Sequence, residues 1–587
     1  MTARRAVRIA NCSGFYGDRL AAAREMVEGG PIDVLTGDWL AELTMLILAK
    51  DRIKNPDGGY AKTFLKQMEQ VMGTCLDRGI KVVANAGGLN PKGLAGALER
   101  LAETLGLAPA IGYVAGDDLL PRLDELKGAG HELRNLDTGE AIGDRTVLTA
   151  NAYLGGWGIV EALSRGADIV VTGRTTDAAV VMGPAAWWHG WGRTDYDALA
   201  GALVAGHVIE CGCQATGGNY AFFQEVPGLE HPGFPIAEIA ADGSSVITKH
   251  DSHGGLVSVG TVTAQLLYEI AGPRYLNPDV TARFDTIALA PVAPNRVRIS
   301  GVRGEAPPAT SKVCVNLAGA VKASLTFPLA GLDVREKADL LVRSLFAAVP
   351  GGRESFQSVE VDLVRSDHED PQRNEAAIAN LRITLKDPDE KKFGKPLTSA
   401  ITELGLASYP GFFGGPSSVQ AYGVYWPAAV PSDLLSHEVV VGGEVTRVAP
   451  TLPTGAEPAV EVERPAMPGP AGGRTRRTPL GRVAGARSGD KGGNANVGVW
   501  TRTDEAFAWL SGYLTIDRLK ALMPETHGLE VERFDLPRIR SLNFVIHGLL
   551  GEGVASSGRM DPQAKSLGEY LRAKHVEVPV ELLEGKP

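Results

Sequence analysis

Val170-Val171-Thr172-Gly173-Arg174-Thr175-Thr176-Asp177 begins as a short apolar run and breaks into glycine, a guanidinium, hydroxyls and a carboxylate. Continuous apolar runs of this length suit a strand buried on both faces, as in a parallel sheet. A strand of that kind delivers whatever follows it to the carboxyl edge of the sheet, where ligands of open α/β folds bind.

Working back toward the N-terminus, the same sequence of events recurs. Val7-Arg8-Ile9-Ala10 leads to Cys12, Gly14 and Asp18, an alanine-rich helical stretch follows to Met26, and 31–36 returns as an apolar run ending at Gly37-Asp38-Trp39. That alternation is a βαβ unit. Residues 59–78 place Phe64, Met68, Val71, Met72, Cys75 and Leu76 at helical spacing, and Gly79 stands where a C-terminal glycine cap belongs. Strands are then predicted at 80–84, ending in Asn85-Ala86-Gly87-Gly88, and at 111–115, ending in Gly116-Asp117. Residues 120–143 carry turn-type residues and suggest a hairpin; Asn151 to Gly158 leads into a helix through Ser164, and Gly166-Ala167-Asp168 feeds the strand that starts at Val170. Cys12, Asp18, Asp38, Asn85, Gly87, Asp117, Asn151, Arg174 and Asp177 therefore fall at strand ends that a parallel sheet gathers on one edge. The first loop is not GxGxxG, so the dinucleotide fingerprint is absent.

The totals narrow the class. A chain of 587 residues exceeds one ordinary core and suggests about three or four structural units. A net charge of -10 without a long basic stripe disfavours nucleic acid. The absence of any apolar run near membrane-spanning length predicts a cytoplasmic protein with no membrane partner. Five thinly spread cysteines predict no disulfide framework; the Cys211-Gly212-Cys213 pair lacks a second pair for structural zinc.

Past 200 the pattern becomes β-rich, with short runs such as Val257-Ser258-Val259 and Val297-Arg298-Ile299-Ser300. A glycine-aromatic stretch, 409–418, reads either as a channel-lining lid or as a packed connection. Proline, glycine and charge dominate 451–479, which predicts an interdomain linker. The remainder, 480–587, alternates strand and helix patterns and predicts a small α+β domain. The fold class is thus α/β: a parallel-sheet region at about 1–200, a mixed β-rich region at about 201–450, and the small C-terminal domain.

Cys-Ser-Gly-Phe-Tyr-Gly-Asp at 12–18, Thr-Gly-Asp-Trp-Leu at 36–40, Asn-Ala-Gly-Gly-Leu-Asn-Pro at 85–91, Gly-Arg-Thr-Thr-Asp at 173–177 and Arg-Ser-Gly-Asp-Lys-Gly-Gly-Asn at 487–494 together resemble the acyclic terpene utilisation AtuA family. The resemblance spans the main domain and makes the C-terminal domain ferredoxin-like. It implies catabolism of branched acids as CoA thioesters, with a lyase or hydratase step on a hydroxyacyl-CoA. CoA is then part of the substrate and no tightly bound cofactor is expected; a homo-oligomer is expected. A non-catalytic acyl-CoA-binding subunit and a cysteine-dependent hydrolase are the alternatives.

Such chemistry needs a proton carrier and donors for an enolate-like oxygen. Asp38, Asp117 and Asp177 are the candidate carriers, each with a helix N-cap as its structural alternative. Gly87-Gly88 and Gly155-Gly156 offer backbone N–H groups. Arg174 suits a substrate carboxylate or phosphate, or else an ion pair with Asp177 or Asp168. Cys211, beside Glu210 and near His207, is a candidate nucleophile, and Cys12 is expected at a helix N-terminus that would lower its pKa; a buried inert cysteine is the alternative for both. Cys12, Gly14, Asn85, Gly87, Gly88, Asn151, Gly173, Arg174, Thr175, Lys491 and Asn494 are the candidate substrate-binding set. Ser488 to Asn494 has an anion-cradle composition. His250 and His253, three residues apart, offer metal-ligand types but too few of them for a site, and no metal is expected.

Overall fold

The computed structural model describes residues 4–453, 460–462, 465–469 and 473–584. Parts of the expected linker, at 454–459, 463–464 and 470–472 and including Pro458 and Pro470, lie outside the described residues.

Six strands of the N-terminal region are β1 (Val7–Asn11), β2 (Val34–Gly37), β3 (Lys81–Ala84), β4 (Ile111–Ala115), β5 (Val147–Ala152) and β6 (Ile169–Thr172). Five of them form a parallel core in the order β1-β2-β3-β6-β4. Val170 and Val171 of the central β6 are wholly buried, as its unbroken apolar run requires. Antiparallel strands extend this core on both sides to eleven strands among the described residues. Pro235–Ile239 pairs with β1, and His437–Val441 pairs with β4. The β-rich second region therefore completes the parallel sheet.

The helix at Lys62–Arg78 buries the apolar stripe seen in the sequence, and Gly79 caps it at φ +66° with its N–H on Cys75 and Leu76 carbonyls. Two local expectations fail. Residues 120–143 hold short helices at Leu120–Arg122 and Leu123–Gly128 with turns, not a hairpin. Val257-Ser258-Val259 is not a strand, because Ser258 caps the helix Val259–Leu266. Its Oγ accepts from Thr261 N–H at 3.2 Å, and Thr261 Oγ1 accepts from Ser258 N–H at 2.9 Å. A reciprocal cap of this kind satisfies donors that a strand would leave open at that point.

The chain forms two compact units, fewer than its length suggests. The first comprises Met1–Asn316, Tyr425–Gly551 and Gln563–Pro587, so the C-terminal domain shares a unit with the large sheet. That domain is a four-stranded antiparallel sheet, Ala484–Lys491, Asn494–Thr501, Ser541–Ile546 and Val531–Leu536 in spatial order, with helices including Asp504–Tyr513 and Leu567–Arg572. Val497, Val499, Leu510, Leu542, Phe544 and Leu571 fill its core.

The second unit, Leu317–Val424 with Glu552–Pro562, builds its own core around Leu325, Phe327, Leu341, Leu345 and Ile383. The glycine-aromatic stretch belongs to it, packed at Tyr409 and Phe412 and exposed at Phe413. Tyr409 is buried and donates to the Pro328 carbonyl at 2.8 Å, and Phe412 packs on Tyr409 with ring centres 5.4 Å apart.

Candidate functional site

The carboxyl ends of β1, β2, β3, β4 and β6 lie on one edge and place Cys12, Asp38, Asn85, Asp117 and Arg174 there. Asn151 reaches the same edge from β5, which pairs outside the main sheet with the strand Thr310–Ala330.

Arg174 is the centre. Its side chain is 2% exposed, and Nη1 donates to the Leu40 carbonyl at 3.0 Å and to Asp177 Oδ1 at 2.9 Å. The guanidinium lies 4.4 Å from the Tyr153 ring centre, and Nε is buried without a hydrogen-bond partner. Of the two alternatives for this arginine, the ion pair is with Asp177; Asp168 instead binds Lys81. The pair is lopsided, since Asp177 keeps 31% of its side chain accessible. Asp177 thus meets solvent on one side and a buried cation on the other.

Asp38 stands on the other flank. Its Oδ1 accepts from Leu40 N–H at 2.9 Å and from Asn85 Nδ2 at 2.5 Å, while Asn85 Oδ1 accepts from Trp39 N–H at 2.8 Å. Burial, reinforced by the Asp177 charge, pushes the Asp38 carboxyl well above its usual range despite Arg174. Burial also raises Asp177, against the pull of Arg174. Glu42 goes the other way: burial would raise it, but Lys312 and Arg174 outweigh that and hold it at about 2. Its Oε1 accepts from the Tyr153 hydroxyl at 3.1 Å and lies 3.6 Å from Lys312 Nζ.

Asp117 sits behind this group. Its Oδ2 accepts from Arg174 N–H at 2.9 Å and from Asn151 Nδ2 at 2.8 Å, which fixes the backbone from which the arginine projects. Burial raises it to about 7. Gly173 is required beside it, because a Cβ there would come within 2.3 Å of Asp117 Oδ1. Thr175 is fully buried with its hydroxyl unpartnered.

Two of the glycine N–H groups proposed as oxyanion donors are already engaged. Gly156 N–H donates to Asp279 at 2.5 Å and Gly88 N–H to the Asn85 carbonyl at 3.2 Å; a Cβ on Gly87 would meet the Thr172 carbonyl at 2.4 Å. Cys12 lies in the core, ten residues before the helix Ala22–Glu28, so no helix end acts on it. Burial raises its thiol. Cys211 is at the site and partly exposed, with Gly14 packed so closely on its backbone that a Cβ would approach to 2.6 Å. Burial, then Glu210, Glu269 and Asp38, push its thiol well above the ordinary range, opposite to what a nucleophile needs. All five cysteines are free, and the His250 ring is 2.9 Å from the Met26 carbonyl.

Next to Cys211, His207 Nδ1 lies 3.2 Å from Glu210 Oε1, both side chains buried. Burial holds the imidazole down at about 4 and raises the Glu210 carboxyl well above its range. Glu210 Oε2 has no hydrogen-bond partner.

The C-terminal domain completes the site. Arg487 stacks 4.3 Å from the Tyr268 ring centre, and Asn496 clamps the segment beyond the helix Val259–Leu266 by donating to the Leu267 carbonyl at 2.7 Å and accepting from Glu269 N–H at 2.9 Å. Lys491 Nζ donates to the Glu269 carbonyl at 2.9 Å. Held from both domains, Glu269 adopts φ +56°, a left-handed backbone that costs a non-glycine residue about 1 kcal/mol or more. Asn494 donates to Asp137 at 2.9 Å and accepts from Gly548 N–H at 2.9 Å.

Sequence reasoning missed Glu42, Lys312, Glu269 and Tyr268. Glu42 had a signal, an acidic residue in the first helical turn after Gly37-Asp38-Trp39. Lys312 and Glu269 had none, lying in plain β-rich sequence far along the chain.

A mixed α/β protein whose carboxyl-edge charge cluster is closed by a ferredoxin-like domain of the same chain is the class these features define. The chain belongs to the acyclic terpene utilisation family: the family described as acyclic terpene utilisation family protein AtuA matches residues 7–441, and the AtuA ferredoxin-like domain matches 478–577. No curated protein and no solved structure matches it.

Proposed function

We propose that the chain is an enzyme of branched or acyclic terpenoid acid catabolism that acts on an acyl-CoA thioester, in a lyase or hydratase step on a hydroxyacyl-CoA. The observation that carries this reading is the cluster of Asp38, Asp177 and Glu210 around the buried guanidinium of Arg174. Burial raises all three of these carboxyls, whereas Glu42 beside Lys312 and Arg174 is held at about 2, so the site mixes carboxyls that favour the protonated form with one that favours the ionised form. A lyase or hydratase needs that mixture, since it removes a proton at one atom and supplies one at another.

Asp177, deep and accessible, takes the role of proton carrier at the substrate. Arg174 Nε and the Tyr425 hydroxyl, both buried without hydrogen-bond partners, supply donors to a substrate oxygen. CoA enters as part of the substrate, and the active form is a homo-oligomer of a cytoplasmic protein. The raised Cys211 thiol speaks against the cysteine hydrolase.

A thermal-shift panel of short, branched and terpenoid acyl-CoAs tests the substrate class, and no stabilisation by any of them would sink it. With a stabilising ligand in hand, Asp177→Asn should lose turnover while retaining the shift.

A further inference from the structure

Lys491 is a lysine whose surroundings the acid-base reading does not use. It ends the strand Ala484–Lys491, at a hairpin that pairs it with Asn494. The hairpin tip is pinned from several directions. Asn494 is bonded to Asp137 and Gly548, Leu550 N–H donates to the Gly493 carbonyl at 2.9 Å, and Gly492, at φ +65°, packs so close to Tyr425 that a Cβ would lie 3.0 Å from the ring. A pinned tip fixes where the amine points.

Three lysines reach this site, and their partners differ. Lys312 lies 3.6 Å from Glu42, and Lys565 lies 3.2 Å from Glu269 and 3.3 Å from Asp490, so each faces a carboxylate. Lys491 Nζ instead donates to a backbone carbonyl, and among the described residues no carboxylate comes within ion-pair distance of it. Burial, with the Lys312 charge close by, lowers its basicity against the pull of Glu269, Glu42 and Glu210. An amine desolvated beside a second cation is how proteins hold a lysine as a nucleophile.

We propose that Lys491 is a covalent site for carbonyl ligands, its Nζ condensing with the ketone or aldehyde carbon of a substrate to form an imine. The nitrogen lone pair forms the C–N bond while the carbonyl π pair moves to oxygen, and a proton passes from nitrogen to that oxygen. The carbinolamine then expels the hydroxyl as water, a proton from a site carboxyl such as Glu210 assisting departure and the remaining N–H proton restoring that carboxyl. One amine and one carbonyl give one imine and one water, with no oxidant or reductant. The inference rests on the same site as the acyl-CoA reading and narrows it to substrates or products carrying a carbonyl besides the thioester.

The test incubates the full chain with acetoacetate and sodium borohydride, digests it and maps reduced adducts by mass spectrometry. Labelling at Lys491 should saturate with acetoacetate and run at least about tenfold faster than at exposed Lys92, as a desolvated amine pinned at a binding site requires. Lys491→Arg, with its fold checked by circular dichroism, should lose that adduct and keep the slow background. No adduct at Lys491, or one no faster than at Lys92, overturns the proposal, and the native chain alone decides this if the variant misfolds. Because acetoacetate carries no CoA, the acyl-CoA panel can fail while this succeeds, and the reverse.

Discussion

Lys491 of the ferredoxin-like domain and Glu269 of the main domain meet at a backbone carbonyl, 2.9 Å from ammonium to oxygen, with Glu269 held at φ +56°. Neither domain alone fixes that geometry. The segment after the helix Val259–Leu266 takes its shape from the Asn496 clamp and from Asn543, which donates to the Ala271 carbonyl at 2.6 Å. The small domain is therefore part of the site.

Asn496 is the best single probe of that docking. It is fully buried and bonds the Leu267 carbonyl, Glu269 N–H and Asn543, so Asn496→Ala leaves buried partners unpaired. The expected loss is about 2–4 kcal/mol. Urea unfolding should show the C-terminal domain melting first, and a loss under about 0.5 kcal/mol would mean that the clamp is not holding it.

Arg174→Met should destabilise the protein by about 3–5 kcal/mol at neutral pH, because it strands the Asp38 and Asp177 carboxyls without their cation. The defect shrinks as the pH falls. Without the arginine both carboxyls titrate higher still in the folded state, so their contribution is intact below the unfolded carboxylate range and lost as the pH rises. Unfolding midpoints at pH 5 and pH 8 check the sign.

Asp117 has a folded pKa of about 7 against an unfolded value near 4. Its contribution is complete below pH 4 and is lost as the pH climbs to about 7. Asp117→Asn keeps an acceptor for the Arg174 N–H and removes the titration. The variant should show a flatter stability profile between pH 4 and 7 than the native chain; equal slopes would contradict the raised value.

Alkylation separates the thiol reading from the carboxyl reading. Because burial and then Glu210, Glu269 and Asp38 disfavour its thiolate, Cys211 should react with iodoacetamide at pH 8 more slowly than free cysteine. Cys211→Ala should retain ligand-induced stabilisation. Fast, selective labelling of Cys211 would reverse this.

The local sequence determined a good deal. The apolar run of β6 and its abrupt change at Gly173 announce a buried parallel strand and place Arg174 and Asp177 at its carboxyl end, since strand direction and side-chain period follow from local composition. Asp38, Asn85 and Asp117 were legible for the same reason. What each group does was not legible: Arg174 binds Asp177 and not Asp168, Asp117 braces the backbone behind the site, and Gly156 is committed to Asp279. The last two depend on partners 57 and 123 residues away, and the first on which of two nearby carboxylates folding brings to the guanidinium. Glu42 joins Lys312, and Lys491 joins Glu269, only after the β-rich region and the C-terminal domain have packed against the sheet edge. Periodicity along a chain specifies elements and their faces, whereas the charge state of a buried group is set by whichever charges folding brings within a few ångströms, and only the tertiary structure decides that.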